Sequence, residues 1–122
     1  MAKTVVGMVE VVTLYGEKHQ KTLLARIDTG ATRSSVDDTL AKELQLGPTI
    51  KTRLVKAAHG TRRRPIMKVR VKLAGHTMSA EFNVADRSHM KFKVLIGRNV
   101  LRRGFLIDPS SPTLEEKGKR TA

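Results

Sequence analysis

Between Lys68 and Val84 the chain alternates strictly. Lys68, Arg70 and Lys72 interleave with Val69, Val71 and Leu73, and Met78, Ala80, Phe82 and Val84 repeat the pattern after the turn Ala74-Gly75-His76-Thr77. A period of two puts apolar side chains on one face and charged ones on the other, which half-buried antiparallel strands satisfy and an amphipathic helix does not. The signature recurs upstream. Val5 to Leu14 and Lys21 to Ile27 are apolar-rich runs flanking Tyr15-Gly16-Glu17-Lys18, and Thr49 to Leu73 reads as two strands around Ala57-Ala58-His59-Gly60-Thr61. The pattern predicts an all-β domain.

Helical spacing interrupts the strands once. Val36, Leu40 and Leu44 recur at helical intervals before Gly47-Pro48, and Ser35 with Asp38 resembles a capping box with the shorter acid, so the sequence predicts a helix over 36–45. Asp37 and Asp38 then fall in the first turn, where the helix dipole favours negative charge. They read as helix-start residues rather than catalytic ones. Asp86 to Lys91 reads as a polar loop, and Asp108-Pro109-Ser110-Ser111-Pro112 as a breaker cluster. One domain over residues 1–108 with a polar tail over 109–122 is expected.

At 122 residues and 3% aromatic content, the core falls to Val, Leu, Ile and Met, and such a small domain gains from burying surface in a partner. The absence of cysteine excludes a thiol nucleophile, a disulfide framework and a thiolate metal site, and fits a reducing compartment. His19, His59, His76 and His89 show no metal-ligand spacing, and neither a phosphate loop nor an H-E-x-x-H pair is present. No metal and no cofactor are expected. No apolar run is long enough to span a bilayer and Met1-Ala2-Lys3-Thr4 starts no secretory signal, so a soluble, cytoplasmic protein with no membrane contact is expected.

A formal charge of +13, from 24 Lys and Arg against 11 acids, suits nucleic acid, an anionic surface or an acidic peptide. The cations are spread over several elements. Tyr15, Phe82, Phe92 and Phe105 are too few to interleave with them as a base-stacking platform. A weak nucleic-acid or ribosome contact of a basic protein stays as an alternative.

Chemistry concentrates at Asp28-Thr29-Gly30, which follows the apolar run Leu23-Leu24-Ala25-Arg26-Ile27. Hydrolysing an amide at mild pH needs one carboxylate to take a proton from water and a neighbouring carboxylic acid to give one to the carbonyl. None of Asp37, Asp38, Asp86 and Asp108 is followed by a hydroxyl residue and then glycine, so a second such aspartate has to come from another copy of the chain. With Val94-Leu95-Ile96-Gly97-Arg98-Asn99-Val100-Leu101 downstream, the sequence resembles the retropepsin family of aspartic proteases. Ile27 to Ser35 is most similar to the cellular, prokaryotic branch often labelled ATP-dependent zinc proteases.

The resemblance implies a retropepsin-like closed barrel with one or two short helices, assembled as a homodimer that cuts peptide or protein substrates. It implies Asp28, Thr29 and Gly30 as the catalytic triplet. Thr29 would support the loop by hydrogen bonding, and Gly30 would let water approach the carboxylates. Ala31, Thr32 and Arg33, with the hairpin tip His59, Gly60, Thr61 and Arg62, would bind substrate beneath a flap. Ile96, Gly97, Arg98, Asn99 and Leu101 would support the site and the dimer. Retroviral members place an acid after the triplet to pair with the arginine. Here Ala31 and Thr32 stand there, which leaves Arg98 without that local partner. The branch's association with glutamate-tailing ligases implies acidic peptides, which Arg62-Arg63-Arg64 would attract. A fold kept only for peptide binding or dimerisation would have no chemical reason to retain Asp28.

Overall fold

The computed structural model describes residues 2–111. The charged tail read over residues 115–122 lies outside them. The elements run β1 (Thr4–Val6), β2 (Val9–Tyr15), β3 (Gln20–Ile27), β4 (Ser34–Asp37), α1 (Asp38–Leu44), β5 (Thr49–Ala57), β6 (Gly60–Leu73), β7 (His76–Ala85), β8 (Val94–Ile96), α2 (Arg98–Leu101) and β9 (Phe105–Ile107).

Six strands close on themselves in the order β2-β3-β8-β4-β7-β6, with β6 returning to β2 through the pairs Val12↔Leu73 to Tyr15↔Arg70. The result is a closed barrel with two short helices: the alternation predicted its strands, and the retropepsin resemblance implied the closure and one or two short helices. Val12, Leu14, Ala25, Ile27, Val69, Val71, Leu73, Ala80 and Phe82 fill it as the inward members of their strands, and Leu40, Ala41, Leu44, Val100 and Leu101 pack onto it from the helices. The β5–β6 hairpin extends from the barrel and turns at Ala58-His59, where the sequence placed it.

Two local expectations are corrected. The Val5 to Leu14 run breaks at Gly7-Met8: β1 leaves the barrel and pairs in parallel with β9, while the Gly7 amide donates to Glu10 Oε1 at 2.8 Å. The helix starts at Asp38, because Ser34–Asp37 is drawn into the barrel wall between β8 and β7. Ser35 therefore does not cap it. Asp37 is the cap, its Oδ2 accepting from the Leu40 amide at 3.4 Å.

Candidate active site

Along β3, Ala25 and Ile27 point into the core and the odd-step neighbours Arg26 and Asp28 point out, so the alternation that builds the barrel also presents the carboxylate on its outer face. The Asp28 amide donates to the Ile96 carbonyl at 2.9 Å, fixing the end of β3 against β8. The Gly30 amide then donates to Asp28 Oδ1 at 2.8 Å, and a Cβ on Gly30 would lie 3.2 Å from that oxygen. The turn orients the carboxyl group, and glycine keeps its surroundings open.

The Asp28 loop is clamped crosswise by the start of α2. Arg98 and Asn99 amides donate to the carbonyls of Ala31 and Thr32 at 2.8 and 3.1 Å, and the Gly97 amide donates to Ser34 Oγ at 3.0 Å. A Cβ on Gly97 would fall 2.5 Å from the Arg33 carbonyl oxygen, so only glycine lets the two segments cross. Asn99 completes the clamp. Its Oδ1 accepts from the Ser34 amide at 3.1 Å and Ser34 Oγ at 2.9 Å, and its Nδ2 donates to the Glu81 carbonyl at 2.9 Å.

Arg98 has partners after all. Its guanidinium donates to the Thr29 carbonyl at 2.9 Å and to Thr32 Oγ1 at 3.1 Å, so a hydroxyl and a backbone oxygen do the work the absent acid would have done. Thr29 thus supports the loop through its carbonyl, and its hydroxyl makes no hydrogen bond among the described residues. Ile96 and Leu101 are buried in the subunit's own core.

From Arg26 a row of register partners crosses the barrel wall, Arg26-Leu95-Ser35-Asn83-Ile66, each paired with the next on a neighbouring strand and ending on the buried Ile66. By the same period, Arg62 and Arg64 on β6 share that face, opposite Val55 and Arg53 on β5. A cavity of about 440 Å³ separates this side of the hairpin from the wall, lined by Arg53, Lys56, Arg64, Ser35 and Asn83 among others. The tip residues His59, Gly60 and Thr61 make no hydrogen bond or ion pair with the Asp28 loop among the described residues.

Arg33 lies against Glu81, its Nε 3.4 Å from Oε1, and Lys51 Nζ approaches the same oxygen at 3.3 Å. These contacts are ionic rather than directed, since Glu81 Oε1 makes no well-formed hydrogen bond. Lys51, with smaller contributions from Arg33, holds the Glu81 carboxyl below its ordinary value. The network joins the hairpin base to the segment following Asp28.

Ser34, Glu81, Arg26 and Arg87 were not singled out in the sequence. Ser34 is fully buried in the clamp. Arg87 donates through Nε to the Phe92 carbonyl at 3.0 Å; burial lowers its pKa, and the fields of Asp37 and Asp28 oppose that shift. A run of two serines and an arginine in a polar loop carry no period that distinguishes them from solvated residues.

Asp37, Asp38 and Asp86 bring carboxylate oxygens within 4.8 Å of one another. Backbone donors already occupy this group: the Arg87 amide binds Asp37 Oδ1 at 2.8 Å and the Ser88 amide binds Asp86 Oδ1 at 2.9 Å. The first bond ties the 86–93 loop to the start of α1, and the second lies within the loop. No histidine joins the cluster among the described residues.

The sequence model of the RimB-like family, described as retropepsin-like aspartic endopeptidase RimB, matches residues 37–118, more than half of the chain. The chain belongs to the RimB-like family. The matched segment includes Gly97-Arg98-Asn99 and begins after Asp28-Thr29-Gly30, so the triplet stands on its own sequence and geometry. No curated protein matches the chain. Among solved structures, a Legionella pneumophila protein of unknown function (DUF785) superposes with a TM-score of 0.62 at 18% identity, covering 91% of this chain and 97% of its own. Simian Foamy Virus (mac) protease gives 0.60 at 20% identity over 77% of this chain and 91% of its own. EIAV protease complexed with an inhibitor gives 0.58 at 20% over 77% and 84%. At these identities the likeness is one of fold, and it places this RimB-like chain among retropepsin-like barrels. No helix among the described residues is long and apolar enough to cross a membrane.

Proposed function

We propose that the chain is an aspartic endopeptidase whose catalytic pair is Asp28 from two copies meeting across a two-fold axis. The observation that carries this reading is the clamp: Asp28 sits at a strand end on an open face, its carboxylate turned by the Gly30 amide and its loop locked onto Gly97, Arg98 and Asn99. Two such carboxyl groups about 3 Å apart share one proton. The ionised member takes a proton from water, the protonated member gives one to the scissile carbonyl, and the tetrahedral diol then collapses with the proton passing to the leaving amine.

A second copy is supported by surface as well as chemistry. Val5 and Leu106, register partners on the β1–β9 sheet, are 59% and 52% exposed, and among the described residues no further strand pairs with that small sheet. Thr29, which follows Asp28 in the chain, has a hydroxyl with no hydrogen bond among the described residues. An acidic peptide is favoured as substrate by the basic residues of the hairpin, Arg53 and Arg64 along the cavity beside the barrel wall and Arg62 in the recess next to α1.

Asp28→Asn keeps the shape and removes the base. Cleavage of a mixed peptide library should disappear in this variant while its circular dichroism stays that of the parent, and a statine-type mimic of the tetrahedral intermediate should inhibit the parent. Undiminished cleavage by the asparagine variant would remove Asp28 from the mechanism.

A further inference from the structure

The charged half of the β6 alternation has no counter-charge within the subunit. Lys68, Arg70 and Lys72 are exposed on the outer face of the barrel while Val69, Val71 and Leu73 fill its inside, and none of the three cations forms an ion pair among the described residues. Their neighbours do not compensate. Arg70 stands in the row Gln20-Tyr15-Arg70-Ser79 and Lys72 in the row Thr22-Thr13-Lys72-Thr77, both without an acid. Glu81, opposite Lys68, already faces Arg33 and Lys51, and Arg103 brings a further cation by donating to the Ser79 carbonyl at 2.7 Å.

The same face holds a place for a ring. The Arg70 guanidinium lies over the Tyr15 ring, 5.3 Å from its centroid. The sequence has too few aromatic side chains for a stacking platform, but the register adds a second plane, because a nucleobase stacks on a guanidinium as it does on an aromatic ring. Beside this pair opens a cavity of about 570 Å³, lined by Tyr15, Arg70, Lys68, Ser79, Glu17 and Pro48 among others, a size that suits a ring-bearing ligand. Its walls are fixed. The Glu17 amide donates to the Gln45 carbonyl at 3.2 Å, the Lys68 amide donates to the Pro48 carbonyl at 3.0 Å, and a Cβ on Gly16 would overlap the Leu44 carbonyl, so the β2–β3 turn is pressed onto the end of α1.

Spacing and chemistry favour a nucleic-acid strand over an acidic peptide. At Arg70 and Lys72 the strand β6 is paired on both sides, with β2 and β7, so no edge is free for a peptide to join as a further strand. Glu17 repels a carboxylate from the cavity but accepts a hydrogen bond from a base amino group or a sugar hydroxyl. Lys68 and Lys72 lie four residues apart, about 13 Å of strand, which spans two phosphate steps of an extended single strand with Arg70 midway.

We propose that the outer face of β2, β6 and β7 binds single-stranded nucleic acid, with Lys68 and Lys72 holding phosphates on either side of a base that enters the cavity and stacks on the Arg70–Tyr15 pair. Eight residues, about 26 Å of strand, separate Gln20 in this row from Asp28. The strand therefore binds away from the Asp28 face, and the proposal does not rest on the peptidase reading.

The test uses the full chain and a fluorescein-labelled single-stranded RNA of about twelve nucleotides, titrated by fluorescence anisotropy at several salt concentrations. Lys68→Gln together with Lys72→Gln should make the slope of log affinity against log salt shallower by about 1.4, the loss of two phosphate contacts on a single strand. Lys91→Gln, which removes a cation resting on Phe92 beside Arg26, should leave the slope as it is. Tyr15→Leu should weaken binding about tenfold without changing the slope. Arg70→Lys keeps the charge at an exposed position and loses only the plane, so it should weaken binding several-fold at constant slope, and it decides the stacking contact should Tyr15→Leu unfold by circular dichroism. Asp28→Asn should bind the RNA as the parent does, and a glutamate peptide of equal length should bind at least about tenfold more weakly than the RNA. An unchanged slope in the double lysine variant, a comparable change in Lys91→Gln, affinity indifferent to Arg70→Lys, or a glutamate peptide that binds as tightly as the RNA overturns the proposal.

Discussion

Asn99→Ala should loosen the loop that holds Asp28, and the size of the effect follows from three hydrogen bonds. Asn99 accepts from the amide and the hydroxyl of Ser34 and donates to the Glu81 carbonyl, all within 3.1 Å. Each such bond contributes about 1 kcal/mol net, and Ser34 is buried with no water to replace the lost acceptor, so the alanine variant should be about 3 kcal/mol less stable. For a domain of this size that is a fall of about 10 °C in Tm. Asn99→Asp keeps both acceptor bonds but turns the donor to the Glu81 carbonyl into an oxygen facing an oxygen, in a recess lined by Glu81 as well as Arg33, Arg102 and Arg103, so its cost should fall below that of alanine, to about 2 kcal/mol. Urea unfolding at one fixed protein concentration measures both values. Peptide cleavage, assayed well below either Tm, should fall about a hundredfold in the alanine variant, because small displacements of a catalytic group are that costly. A loss of stability under about 1 kcal/mol for Asn99→Ala, or equal losses for alanine and aspartate, would refute the clamp as described.

Three further outcomes are expected. Gly97→Ala forces a methyl into the Arg33 carbonyl and should cost about 2 to 4 kcal/mol by denaturant unfolding, from overpacking plus disrupted loop bonds, whereas Gly75→Ala, with open space around it but a φ of 83°, should cost only about 1 kcal/mol, that of a left-handed alanine. The Glu81 carboxyl lies below its ordinary 4.5 when folded, so its pairing with Lys51 and Arg33 is fully present above that pH and is lost as the pH falls through the lower folded value; Glu81→Gln should flatten the pH dependence of Tm below 4.5 and leave it unchanged at pH 7. Leu106→Asp, at an exposed position of β9, should preserve the subunit's circular dichroism, shift sedimentation towards monomer and reduce cleavage most at low protein concentration.

The strands of the barrel were legible because their alternation is long, whereas its closure was implied by the family resemblance. Lys68 to Leu73 and Met78 to Val84 each supply enough periods to fix which face is buried, and the turns at Ala74-Gly75 and Ala58-His59 bracket them. Short segments were less readable. Ser34–Asp37 has the apolar spacing of a helix start, yet pairing on both sides with β7 and β8 satisfies more backbone groups than another helical turn would, so tertiary contacts override the local pattern. Gly7-Met8 carries no turn signal of its own, and β1 departs because β9, almost a hundred residues away, offers it a partner. The site shows the same division. Asp28, Gly97 and Arg98 stand in motifs, whereas Ser34 and Glu81 matter only through strand register, which no local pattern reveals. Val94 to Leu101 reads in sequence as a segment near the dimer axis; the single subunit already buries Val94, Ile96, Val100 and Leu101, so Leu101→Arg would test the core, and Leu106 is the better probe of association.

The most direct test of the central claim mixes equal amounts of the parent chain and Asp28→Asn, lets subunits exchange, and measures cleavage against the unmixed parent at the same total concentration. If each active site needs one Asp28 from each copy, only parent-parent dimers work, and activity should settle at about one quarter of the unmixed value for random two-fold pairing. A value of about one half would mean that each chain acts with its own aspartate alone and would contradict the shared pair.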